Sequence, residues 1–130
     1  MNSAEEVQEF ERLEQQLHSM LAEISELSKK RPNDGVNKFK LKLVNVLIEK
    51  MNGILAAQKP FQDFDTFDEN DLPTNSDVVV MLSQYATAIF QFRMENTAQE
   101  PHGIEWYWPL PGKQEPVPTR HPEQFKYGAK

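Results

Sequence analysis

The chain has 130 residues, a formal net charge of −6 and no cysteine. That length holds one domain with a genuine core but not two. The absence of cysteine excludes disulfides, thiol nucleophiles and thiolate metal sites and suits a reducing cytoplasm. No apolar run approaches the roughly 18 residues of a membrane span, and no charged-then-apolar leader stands at the N-terminus, so a cytoplasmic protein off the membrane is expected.

The charge is segregated. Residues 1–28 carry seven Glu against Arg12, residues 29–50 carry seven Lys and Arg against Asp34 and Glu49, and residues 58–77 carry six acids against Lys59. Adjacent blocks of opposite sign predict pairing within the fold. The overall balance argues against direct nucleic-acid binding, which needs a net basic face for phosphates.

In chain order, Phe10, Leu13, Leu17, Met20, Ile24 and Leu27 recur at the alternating three and four spacing of a helix packed along a seam. The first helix is predicted over about 3–30. Ser3 is its cap, Glu6 the capping-box partner, and Lys29, Lys30 and Arg31 complement the dipole before Pro32. In a parallel homodimeric coiled coil Glu9 would face Glu14 of a second chain, a like-charge contact. An antiparallel return through "RPNDG" instead brings Glu23 near Lys42, Glu26 near Lys38 and Lys40, and Glu14 near Lys50. Such exposed pairs are worth about 0.2–0.5 kcal/mol each and choose orientation more than they stabilise. A helical hairpin is therefore expected.

The second helix is predicted over about 35–57, capped by Asn33 or Asp34. Its apolar residues Val36, Phe39, Leu43, Val46, Leu47, Met51, Ile54 and Leu55 cover more than one stripe, which places it centrally, although "KFKLKLV" also fits a strand. An acidic loop, 58–75, follows, with Phe61, Phe64 and Phe67 at spacing three among Asp63, Asp65 and Asp68. The third helix, about 76–98, opens at Thr74 or Ser76 with Asp77 in its first turn and has the seam Val78, Leu82, Tyr85, Ile89 and Phe92. Beyond that seam Val79, Met81, Ala86, Phe90 and Met94 are more apolar surface than a hairpin covers, the mark of an interaction site.

Six of nine prolines fall after residue 100, so the helical domain (1–99) gives way to a tail (100–130). In "GIEWYWPLPG" the alternation of Ile104, Trp106 and Trp108 gives an extended strap one apolar face, with Glu105 and Tyr107 on the other. Burying two Trp and one Ile removes on the order of 500 Å² from water, about 12 kcal/mol gross. Ordering about eight residues costs on the order of 8–16 kcal/mol. The strap can lie over its own third helix, serve a second subunit, or be held out for another protein. Beyond Pro118 a loosely ordered end is expected.

The remaining candidates for chemistry are weak. Glu14 and His18 stand four residues apart on what the heptad makes an outer face, without a third metal ligand. His102 and His121 lie in the tail. Asp63, Asp65, Asp68, Glu69 and Asp71 fail the EF-hand template, which would find Phe67, Asp68 and Thr74 at its fifth, sixth and twelfth places. No nucleophile elbow, phosphate-binding glycine loop or HExxH occurs.

Together these features predict an all-α fold: a three-helix bundle on an antiparallel hairpin, with an aromatic and proline-rich C-terminal strap. No cofactor, metal or catalytic residue is expected. The expected function is a non-catalytic protein-interaction module, an adaptor, regulator or inhibitor, acting as a homo-oligomer or on a protein partner through Val79, Phe90, Met94, Trp106, Tyr107, Trp108, Phe61, Phe64, Phe67, Asp63, Asp65 and Asp68. Two alternatives are an acidic nucleic-acid mimic that blocks a nucleic-acid-binding protein, and a helical small-ligand binder with a pocket between Tyr85, Phe92, Trp106 and Trp108.

Overall fold

The computed structural model describes residues 1–125; the last five residues of the expected tail lie outside them. Three helices dominate: α1 (Ala4–Lys30), α2 (Lys38–Leu55), followed by a 3₁₀ turn at Ala56–Gln58, and α3 (Asn75–Asn96). Helix α1 starts where expected, with Ser3 Oγ accepting from the Glu6 N–H at 3.2 Å. Helix α3 opens on a reciprocal capping box. Thr74 Oγ1 accepts from the Asp77 N–H and the Asp77 carboxylate from the Thr74 N–H, both at 3.1 Å.

Helix α2 begins three residues later than expected, and Asn37, not Asn33 or Asp34, caps it, its Oδ1 accepting from the N–H groups of Phe39 and Lys40. The residues before it have another task. Gly35 forms an antiparallel bridge with Thr74. Val36 N–H donates to the Pro73 carbonyl, while the carbonyls of Asp34 and Pro32 accept from the N–H groups of Asn75 and Ser76. The turn between α1 and α2 thus satisfies donors that the start of α3 leaves open, and it fixes α3 antiparallel to α1.

One core runs through all three helices. Val7, Phe10, Leu13, Leu17, Leu21 and Ile24 of α1 meet Leu41, Val44, Ile48 and Met51 of α2 and Val78, Leu82, Tyr85 and Ile89 of α3. Among the described residues a single ion pair joins α1 to α2, and it is not one of those expected. Glu23 pairs with Lys40 at 2.8 Å, not Lys42, and Glu26 pairs within its own helix with Lys29 at 3.0 Å. Glu14 does not reach Lys50 at all, because its side is covered by α3.

The tail corrects the all-α expectation. It forms a three-stranded antiparallel sheet, β1 (Ala98–Gln99), β2 (Trp106–Trp108) and β3 (Val117–Thr119), in the order β1-β2-β3. Ala98 pairs with Tyr107, and Trp106, Tyr107 and Trp108 pair with Thr119, Pro118 and Val117. The physical reason is hydrogen bonding: a single strap over an apolar surface leaves its backbone groups unpaired, whereas folding back twice pairs them. Pro118 sits on the edge strand, where a sheet tolerates a residue without an N–H.

Candidate interaction surface

Trp108 has no exposed surface and meets the Phe10 ring edge-on at 5.1 Å, while Phe92 stacks on Phe10 at 5.2 Å. The tail therefore seals the end of its own α1 and α3. Trp106 and Tyr107 are half-buried, with Trp106 edge-on to His121 at 5.7 Å. Ile104 is 86% exposed, so the apolar face expected for 104, 106 and 108 does not extend to it.

Beneath Trp108 lies a polar cluster that the sequence reading missed. Arg93 of α3 is buried. It donates to both carboxylate oxygens of the buried Glu14, Nε to Oε2 at 3.0 Å and Nη2 to Oε1 at 2.8 Å, across 79 residues of sequence. Its Nη2 also reaches Glu11 Oε2 at 3.2 Å, and its Nη1 reaches Thr119 Oγ1 at 2.8 Å. Thr119 donates its own proton to Glu11 at 2.5 Å, Trp108 Nε1–H donates to the same carboxylate at 3.1 Å, and Arg120 adds a bond to Glu14 at 2.7 Å. Two carboxylates of α1 and one guanidinium of α3 thus clamp the tail by its Trp, Thr and Arg. Both the outer position expected for Glu14 and the loose end expected beyond Pro118 are corrected by this cluster, at least through Arg120.

Its electrostatics follow from the partners. Burial pushes the Glu11 carboxyl up, but the donors Thr119 and Trp108 and the Arg93 charge outweigh that and hold it below the usual carboxylate range. His18, stacked on Phe125 at 4.3 Å, is lowered by burial and by the charges of Arg120 and Arg93, against the opposing pull of Glu14. His18 also borders an open cleft of about 720 Å³ with Arg120, His121 and Glu123. Among the described residues no group of three His, Asp or Glu side chains is placed to hold a metal ion.

The acidic loop is held by its backbone and two of its three phenylalanines. Asn45 of α2 donates to the Phe67 carbonyl at 2.9 Å and accepts from the Phe67 N–H at 3.0 Å, and Asn52 donates to the Asp65 carbonyl. Phe64 and Phe67 pack edge-to-face at 5.1 Å against the core, whereas Phe61 stays exposed. Asp63 and Asp68 face solvent, and Asp65 pairs with Lys59 at 2.6 Å. On α3, Val79 is half-covered by the core, Phe90 is half-buried and Met94 is exposed.

The aromatics of the small-ligand alternative are not brought to one cavity. Tyr85 bonds Asn52 of α2, Phe10 fills the space between Phe92 and Trp108, and Trp106 turns toward His121.

A run of open apolar side chains lies instead on α2, the helix expected to be central. Phe39, Leu43 and Val46 are 68%, 44% and 53% exposed and stand at spacings of four and three, one stripe along the outer side. Val46 is a ridge between two grooves. One, of about 570 Å³, is lined by Met20 and Leu47 with Arg12, Gln16, Glu23 and Lys50 around it; the other lies against Lys42, Glu49, Thr66, Phe67, Asp68 and Glu69.

Among the described residues no helix is long and apolar enough to cross a membrane. No protein-family model, curated protein or solved structure matches the chain.

Proposed function

We propose that the chain is a non-catalytic protein-interaction module of the cytoplasm, a small adaptor, regulator or inhibitor, and that its docking face is the outer side of α2. The observation that carries this reading is the exposure of Phe39, Leu43 and Val46 as one continuous stripe on a helix whose other side is fully packed. A single exposed apolar residue is ordinary; three in register above an apolar groove suit the apolar face of a partner helix. Trp108, the strongest anchor in the sequence, is used inside the chain, so the docking face moves from the tail to α2. Val80 and Met94, 61% and 43% exposed, stand singly toward opposite ends of α3.

Replacement of Val46 or Leu43 by Glu tests this. Both sites are exposed, so the melting temperature should hold to within a few degrees, since exposed substitutions change stability by about 0.5 kcal/mol or less. Binding at this face should be lost, read by a photo-crosslinker placed at position 39. An unchanged crosslinking pattern in Val46→Glu refutes the assignment.

A further inference from the structure

Gly53 sits near the end of the exposed side of α2, and a Cβ built on it would meet no atom of the described residues within 4 Å. Helix interiors disfavour glycine, and here the described residues give no steric reason for one. Gly53 also borders a recess of about 350 Å³ walled by Asn2, Glu6, Glu9, Ile54 and Phe92. At the other end of the same side stands Phe39, fully helical and 68% exposed. A large exposed ring and a hole thus lie about 21 Å apart along one helix face, with Val46 midway between them.

The charges repeat that symmetry. Lys42 and Glu49 are exposed, lie seven residues apart on the same flank of the stripe, and have no ion-pair partner among the described residues. Leu43 and Lys50 occupy the opposite flank. When two identical helices pack face to face and antiparallel, like flanks meet. About a two-fold axis at Val46, Lys42 then faces Glu49 of the second copy and the reverse, Leu43 lies under the aliphatic stem of the second Lys50, and Phe39 enters the recess beside the second Gly53. Parallel packing would set Phe39 on Phe39 and Gly53 on Gly53, crowding one end and leaving a void at the other.

We infer that the occupant of this face is a second copy of the chain, packed two-fold and antiparallel, α2 against α2, about Val46. The inference rests on the reading of this face as an interaction surface and names its partner. A two-fold contact of this kind is closed and self-complementary, so it stops at the dimer.

Sedimentation velocity over a concentration series from micromolar to sub-millimolar tests it, on the wild-type chain, Lys42→Glu, Glu49→Lys, the double charge swap, and Gly53→Ala. The wild type should dimerise. Either single charge change places like charges at both flanks and should raise the dissociation constant about tenfold or more, and the double swap should restore it. Gly53→Ala should raise the melting temperature of the dilute chain by a few degrees while weakening the dimer, opposite signs that a purely structural glycine does not give. A dimer indifferent to these substitutions overturns the inference, as does a chain monomeric throughout. If that monomer still loses crosslinking to lysate proteins on Val46→Glu, the interaction face stands with a different occupant; if it does not, both readings fall.

Discussion

Replacing Arg93 by methionine removes the guanidinium at the centre of the clamp and leaves a side chain of similar length. Glu14 is 3% exposed and would keep only Arg120, whose side chain is half in solvent. Glu11 would keep Trp108 and Thr119 as donors. Breaking a buried ion pair by deleting one partner costs about 3–5 kcal/mol, because the other charge remains in a low-dielectric site. Since Arg120 and the two surviving donors to Glu11 compensate in part, the lower end applies, about 3 kcal/mol. For a chain of this size that lowers the melting temperature by roughly 10 °C.

The double variant Arg93→Met with Glu14→Leu sharpens the test. It removes both buried charges and lets Arg120 turn to water, so it should recover most of the loss. The coupling between the two sites should then be about 2 kcal/mol in a double-mutant cycle. The assay is urea unfolding followed by far-ultraviolet circular dichroism and by tryptophan emission. Both tryptophans lie in β2, so emission reports that strand while dichroism reports the helices. In Arg93→Met the emission transition should precede the helical one, because the clamp is what joins β2 and β3 to α1 and α3. A loss below about 1 kcal/mol, or losses that simply add in the double variant, would refute the account of the clamp.

Trp108→Ala empties a fully buried site beside Phe10 and takes a donor from Glu11, and should cost about 3–5 kcal/mol in the same unfolding assay. Asn45→Ala deletes both bonds to the Phe67 backbone and should cost about 1–3 kcal/mol, with new protease cleavage within residues 59–74 as its signature. The pH dependence has two windows. The folded pKa of His18 lies below its ordinary 6.5, so the unfolded chain binds more protons near that pH. Stability is full above 6.5 and falls as pH drops through it toward the lowered value; His18→Phe should flatten that slope. Glu11 is also depressed in the folded state, so its contribution is full above 4.5 and is lost as pH falls through the lower folded value; Glu11→Gln should remove that second slope.

The parts of this fold that the sequence discloses are those in which cause and effect are neighbours. Ser3 caps α1 from three residues away, Thr74 and Asp77 cap α3 at the same spacing, and the seam of α1 repeats every three or four residues. What it hides depends on distant partners. Asn37 caps α2 because residues 32–36 are engaged by the start of α3, a contact with no local mark. The sheet depends on strands as short as two residues, and the alternation through Trp106 and Trp108 marks an extended segment without disclosing the strands it pairs with. Arg93 did leave a trace: it stands four residues after Ile89, in line with the buried seam of α3, and a guanidinium on a core seam requires a buried carboxylate. Glu14 escaped because the heptad assigns it to a flank, and only the placement of α3 makes that flank an interior.

The clamp also bears on why the open surface lies on α2 rather than on α3. Trp108, Val117 and Leu110 pack against the shared core, so the end of α1 and α3 that a bare hairpin would leave open is closed within the chain. That closure depends on charged groups whose geometry is set by three elements at once, which ties β2 and β3 to the helices of their own chain. Among the described residues nothing comparable covers the outer side of α2: the acidic loop is tied to its Asn45 and Asn52 flank, and the stripe through Phe39, Leu43 and Val46 runs beside it exposed. Those three side chains contribute little to the monomer's core, and Gly53 on the same side weakens the helix that bears them. A face that adds little to folding and is still apolar, flanked by Lys42 and Glu49 that have no ion-pair partner among the described residues, is the face that the proposed dimer would cover.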